Sequence, residues 1–337
     1  MAISADANSP KGWRVAVVSD ATHAGATGIG TTMYQLDVDS VSMPSLNQNQ
    51  VLDVRSGVGR TLKDEDVFQD NKLKVTEVSL SGTLHNDAGH KLLLQNICGD
   101  VSGDIAVASG FLGFSQSYNG SSGLENAASS LTVVIQPSEV THQQGLEMFG
   151  CLVTNFSVNA DATSEGGRYK WSATIQTGLQ PDLASTAAPT ITAYANTDMP
   201  LLSSSSGHKV YNTDVIMNSF TATIDSPAVF TGSQSSPVAG YQIGSRGVET
   251  SVTIDTQVKY DRETKGFINT FGTQTAARTG TDANCFYIAN NNAFGVNVQN
   301  AIFTNVALSE GDLMMLDCSL KAVDDGTDAL ISFDVSA

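Results

Sequence analysis

Thr154–Gln176 reads TNFSVNADATSEGGRYKWSATIQ, and Thr304–Ala322 reads TNVALSEGDLMMLDCSLKA. Both open on Thr-Asn, turn on Ser-Glu-Gly and alternate apolar with polar residues on either side of the turn. A period of two is the signature of a strand with one dry and one wet face. In the first stretch the alternation predicts Leu152, Thr154, Phe156 and Val158 on one face, followed after the turn by Tyr169, Trp171, Ala173 and Ile175. In the second it predicts Ile302, Thr304, Val306 and Leu308, then Met314, Leu316, Cys318 and Leu320. A slip of one residue inverts every side chain, so agreement of phase carries more weight than agreement of composition. The two stretches read as the same hairpin used twice.

A second pair of segments repeats in the same order. Glu77–Gly99 and Glu249–Gly272 each begin with a strand, marked by Val78, Leu80 and Leu84 in one and by Val252, Ile254 and Val258 in the other. Each then shows a helix start, Asn86 or Asp87 in the first and Asp261 in the second, and a glycine, Gly99 or Gly272, where a C-cap belongs. The order strand, helix, strand, hairpin therefore occurs twice, and the Pro-, Ser- and Ala-rich GLQPDLASTAAPT of Gly178–Thr190 reads as the joint. The expected architecture is mainly β, with tandem domains over residues 1–187 and 188–337, each flanked by one α-helix. An insertion at about residues 100–130 lengthens the first copy. Its Phe111, Leu112 and Phe114 read either as an extra core strand or as an apolar contact for a neighbouring subunit.

The chain has 337 residues, enough for two domains with cores of their own. Its 34 acidic against 17 basic residues give a net charge of -17, which argues against a tight grip on a polyanion. Cys98, Cys151, Cys285 and Cys318 form no C-x-x-C pair and read as small core residues. No run approaches the roughly 18 apolar residues of a membrane span, and the N-terminus lacks the pattern of a signal peptide. The five histidines show no metal-binding spacing, and no G-x-S-x-G elbow places a nucleophile. Gly25–Gly30 has the wrong spacing for a dinucleotide loop, Lys63–Asn71 lacks the Gly and Glu of a calcium loop, and Asp324–Asp328 reads as a turn. No catalytic residue, cofactor or metal is expected.

The segments WRVAVVSDATHAGATG (Trp13–Gly28) and LDVDSVSMPSLNQNQVLDVRSGVGRTLKDEDVFQDNKLKVTEVSLSGTL (Leu36–Leu84) resemble the start of tail tube proteins of long-tailed bacteriophages. The hairpin GCLVTNFSVNADATSEGGRYKWSATIQTG (Gly150–Gly178) resembles that family's late hairpin. The resemblance implies tail-tube-like β-sandwich or β-barrel domains whose strands join those of neighbours, forming rings that stack into a tube. With two such domains per chain, three chains would supply the six of a ring. It also implies an acidic or small polar lumen through which genomic DNA passes without tight binding. The implied partners are further copies of the chain and other tail proteins such as the tape measure, terminator and distal tail proteins. The implied location is the virion tail, assembled in the host cytoplasm. On that reading Asp161, Glu165 and Arg168, on or beside the turn, are contacts between subunits or rings, as are the insertion's Phe111, Leu112 and Phe114. Competing expectations are a virion decoration protein and a β-sandwich adhesin that binds carbohydrate.

Overall fold

The computed structural model describes residues 13–20, 32–43, 50–52, 67–69, 75–98, 111–113, 130–137, 145–179, 181–183, 190–194, 199–202, 207–234, 241–245, 250–274, 285–288, 294–310, 313–323 and 330–334. Gly25–Gly30, Phe114, Gly99 and Asp324–Asp328 lie outside them, as do the carboxylates of Lys63–Asn71.

The chain is mainly β with two helices. The first half carries β1 (Trp13–Ser19), β2 (Met33–Leu36), β3 (Ser40–Ser42), β4 (Gln50–Leu52), β5 (Val67–Gln69) and β6 (Thr76–Thr83). Helix α1 (Ala88–Cys98) follows, then β7 (Phe111–Gly113), β8 (Leu131–Pro137), β9 (Leu146–Asp161), β10 (Lys170–Thr177), β11 (Asp182–Leu183) and β12 (Ile191–Thr192). The second half carries β13 (Lys209–Val210), β14 (Thr213–Asp214), β15 (Met217–Asp225), β16 (Val229–Gln234), β17 (Tyr241–Ser245) and β18 (Ser251–Lys259). Helix α2 (Gly266–Thr273) precedes β19 (Phe286–Ile288), β20 (Gly295–Val298), β21 (Ala301–Ser309), β22 (Met315–Ala322) and β23 (Ser332–Asp334).

The antiparallel pairings of the first half recur in the second. The run β3-β6-β10-β9 of the first half corresponds to β15-β18-β22-β21 of the second. The pairs β1–β2, β1–β8 and β8–β9 correspond to β13–β14, β13–β19 and β19–β20. Even the small hairpins recur, β4–β5 as β16–β17, and β11 on β9 as β23 on β20. Three links among the described residues have no counterpart: the parallel β12–β2 pair, the β9–β15 pair that joins the two halves, and β7, by which the insertion's backbone joins the edge of β23.

Registers fix which residues correspond, and they correct the simple alternation. The β9–β10 ladder slips at Thr154, between Asn155 and Val153, and the β21–β22 ladder slips at Thr304, between Asn305 and Phe303. An extra residue on one strand reverses the facing of everything beyond it. Val153 is therefore opposite Ile175 on the dry face, and Phe303 is opposite Leu320, whereas alternation predicted Leu152 and Ile302 there. In β6 and β18 the registers against β10 and β22 match Val78 with Ile254, two residues from the sequence-based match with Val252. A shift of two keeps the face, which is why the pattern alone did not reveal it.

Each helix ties itself to its bulge. The N–H of Val153 donates to Asn96 Oδ1 at 2.7 Å, and the N–H of Phe303 donates to Gln274 Oε1 at 3.3 Å. Asp87 starts α1 by accepting from the His90 N–H at 2.9 Å, and Asp261 accepts from the Glu263 and Thr264 N–H groups in the turn before α2. Gly272 is not the C-cap expected of it. Helix α2 runs through it to Thr273, whose hydroxyl donates back to the Asn269 carbonyl, and Gln274 takes the extended cap position.

One hydrophobic core underlies both halves. It joins Val15, Val133 and α1's Leu93 to Phe156, Ala173, Ile254, Phe286 and Val296. Trp171 is buried and its indole N–H donates to the carbonyls of Thr83 and Asp37, and Trp13 packs half-buried against the same core. Among the described residues the sheet does not close into a barrel: its main path runs from β12 to β21, and a branch at β9 runs through β10 and β6 to β3.

Candidate assembly surface

The two four-strand runs are joined directly. Strand β9, last of the first run, pairs antiparallel with β15, first of the second, through Asp161–Ser219, Asn159–Thr221, Ser157–Thr223 and Asn155–Asp225. The result is an eight-stranded antiparallel surface, β3-β6-β10-β9-β15-β18-β22-β21.

One face of that surface is polar apart from residues such as Ala307 and Met315 on β21 and β22. Ser172 lies between Ser81 and Ser157, Thr221 between Asn159 and Asp255, and Ser319 between Asp255 and Asn305. Hydroxyls and amides link neighbouring strands: Ser157 with Thr223 at 3.1 Å, Ser319 to Asp255 at 2.6 Å and Gln257 to Asp317 at 2.8 Å. The carboxylates on this face are Glu77, Asp161, Asp225, Asp255 and Asp317, and the cations are Lys170, Lys259 and Lys321. Among the described residues the excess is acidic and no cations cluster, so the face offers a polyanion few partners.

The two edges are apolar where the internal joint is apolar. On the dry side of the β9–β15 joint, Val158 faces Ala222, and both are buried. Beyond them Tyr169 packs edge-on to Phe220 and Phe294, at ring-centroid distances of 5.3 Å and 5.9 Å. The free edges present Met43 beside β3, and Leu308 and Met314 on and beside β21, all exposed.

The β9–β10 hairpin turns through a short helical turn, Glu165–Gly167, in which Glu165 and Gly166 adopt φ of 51° and 70°. Ten residues separate Asn159 from its partner Lys170, whereas five separate Ser309 from Met315. Three of the sequence-predicted contact residues meet here: Asp161, Glu165 and Arg168 line a cleft of about 320 Å³ together with Lys170, Ser219 and Thr221. Asp161 accepts from the N–H and hydroxyl of Thr163, and Lys170 bridges Glu165 at 2.9 Å and Asp39 at 3.0 Å. Burial disfavours the Lys170 charge, but Glu165 and Asp39 outweigh it and hold its pKa above the ordinary value. Arg168 makes a backbone bridge to Leu201, and Tyr169 donates its N–H to Pro200, so the segment between the halves lies across this hairpin. Of the other predicted contacts, Phe111 and Leu112 belong to β7, whose backbone pairs with β23, and Phe114 lies outside the described residues.

A polar cluster that sequence spacing did not signal lies behind the sheet. His85 Nε2 meets Asp37 Oδ2 at 2.8 Å, and His90 Nδ1 meets Asp87 Oδ1 at 2.7 Å. The Tyr194 ring sits 4.7 Å from His85, and Trp171 stands edge-on to His90 at 5.3 Å. The hydrogen bond from His85 holds the Asp37 carboxyl below the ordinary range against the opposing effect of burial. A more deeply buried carboxylate, Asp20, accepts from Ser130, Thr132 and the Gly150 N–H, yet burial prevails and raises its pKa. All four cysteines are free and buried, and burial pushes Cys318 up to about 12, which makes it a poor nucleophile. Among the described residues no group of three or more His, Cys, Asp or Glu side chains is arranged to hold a metal ion. No helix of the described residues is long and apolar enough to cross a membrane. No protein-family model matches the chain, and no curated protein sequence matches it.

Proposed function

We propose that this chain is a structural subunit of a bacteriophage tail tube, built from two tandem tube-like domains and assembling into stacked rings through which the genome leaves. One observation carries the reading: the β9–β15 ladder joins the last strand of one four-strand run to the first strand of the next. A unit that concatenates this way within a chain has the means to concatenate between chains, because among the described residues β21 and β3 stand as unpaired edges of the same kind. Such a heterologous contact closes into a ring when the rotation is right, and three chains supply six units. The polar, mildly acidic face then lines the channel, and DNA slides over hydroxyls and carboxylates without finding cations to hold it.

On this reading the chain performs no catalysis and needs no cofactor. Its partners are copies of itself and the other proteins of the tail, such as the tape measure, the terminator and the distal tail protein. Its place is the virion tail after assembly in the host cytoplasm.

Gold-labelled antibodies against the chain, applied to virions that carry it, test the reading against a decoration role. Gold along the whole length of the tail supports the tube. Gold on the head supports decoration instead, and a sugar-dependent hit on a glycan array supports the adhesin.

A further inference from the structure

The registers define the joint between chains residue by residue. Asn159 and Ser309 hold the same place, each opposite the first residue of the returning strand, Lys170 or Met315. Leu84 donates its N–H to the Tyr169 carbonyl as Tyr260 does to that of Met314, so Tyr169 and Met314 also correspond. On the other side, Ser81 faces both Ser40 and Ser172, as Gln257 faces both Ser219 and Asp317. Ser40 therefore corresponds to Ser219, Ser42 to Thr221 and Met43 to Ala222.

Burial at these places differs in one consistent way. At the internal joint Val158, Ala222 and Tyr169 are 0 %, 2 % and 1 % exposed. Their counterparts Leu308, Met43 and Met314 are 48 %, 45 % and 52 % exposed, with Leu313 beside them at 69 %. Apolar side chains that are covered in one copy and bare in the other mark a surface whose cover lies outside the chain.

We infer that the edge of β21, with Leu308 and Met314, docks against β3 of a second copy of this chain, Ser309 opposite Ser42 and Leu308 opposite Met43. Met314 then takes the role of Tyr169 and packs against Val41, the counterpart of Phe220. The inference rests on the proposal that four-strand runs concatenate between chains. The external joint differs from the internal one in kind: flexible, polarisable methionines replace the Tyr169–Phe220–Phe294 ring cluster.

Cross-linking in the full chain tests this. Directly opposed strand residues have Cα atoms about 4.5–5.5 Å apart, within disulfide reach, whereas a displacement of two residues takes them beyond it. The native cysteines are buried and leave the background low. Asn159→Cys with Thr221→Cys is the internal control and closes within one chain. Ser42→Cys with Ser309→Cys, mildly oxidised, is expected to give a ladder of linked chains on a non-reducing gel. Ser40→Cys with Ser309→Cys is expected to stay monomeric. Adding Met314→Asp to the productive pair lowers the linked fraction at least about tenfold, with the unfolding midpoint of the monomer unchanged. A ladder from the productive pair supports the joint whether or not tubes are seen. Equal linking of the two pairs, or none in either, overturns it: if tubes are visible in that sample the tube proposal survives, and if they are not both fall.

Discussion

Tyr169 and Met314 occupy the same position of two repeated hairpins, and one is buried against Phe220 and Phe294 while the other is exposed. The difference predicts opposite consequences for the same change. Tyr169→Ala removes a core aromatic and costs about 3–5 kcal/mol of folding stability, whereas Met314→Ala stays within about 0.5 kcal/mol. Urea unfolding of the dilute monomer measures both. Self-association should show the reverse order for Met314, whose loss weakens assembly more than folding.

The helix-to-bulge link is a second test. Asn96→Ala leaves the buried Val153 N–H without its acceptor and is expected to cost about 1–3 kcal/mol. Gln274→Ala, at a longer and partly buried contact, is expected to cost less. Unfolding midpoints of the two variants give the comparison directly.

Gly82 lies where the segment after β2 crosses β6. A Cβ there would stand 1.9 Å from the Asp37 carbonyl oxygen and 2.9 Å from the Val38 Cα, both backbone atoms that cannot swing away. Gly82→Ala is expected to cost at least about 2 kcal/mol, in the upper part of the range for overpacking. Thermal unfolding reads this as a lowered midpoint.

Two carboxylates, the half-buried Asp37 and the buried Asp20, give pH slopes of opposite sign. Asp37 is held below its ordinary value of 3.8, so its contribution is present above that pH and is lost as pH falls through the depressed value. Asp20 is raised, so its contribution is full below 3.8 and is lost as pH rises through the higher value. Asp37→Asn should therefore flatten the loss of stability on acidification below about pH 4. Asp20→Asn should flatten a decline that begins above that point. Denaturant titrations at several pH values separate the two.

The polar face makes a prediction about cargo. Replacing Asp225, Asp255 and Asp317 by Lys reverses the sign of that face without touching the core. Assembled protein carrying the three changes is expected to retain DNA in a salt-dependent manner, which the native assembly does not. A filter-binding assay across salt concentrations measures it.

Much of this was legible in the sequence because strand alternation is a local property. The two hairpins and their dry faces follow from Phe156, Trp171, Leu316 and Cys318 alone. The slips at Thr154 and Thr304 were not legible, since a bulge residue carries no composition that separates it from its neighbours in a strand. Leu308 and Met314 fit the core pattern in sequence and are exposed in the structure, because periodicity reports a face and not whether a neighbouring strand covers it. The His85–Asp37 contact joins residues 48 positions apart, and the β9–β15 joint crosses between halves, so neither has a local signature. Asp161, Glu165 and Arg168 were singled out because a polar turn between long strands announces itself. The cleft they share with Ser219 and Thr221 depends on the joint.

The most direct test of the account is electron microscopy of the purified chain, concentrated alone or with the tail proteins proposed as its partners. The account predicts hollow tubes with a regular axial repeat and a wall of continuous antiparallel strands in which β21 of one chain lies beside β3 of the next. A protein that stays monomeric under every condition, or that assembles with β3 and β21 both unpaired, contradicts it.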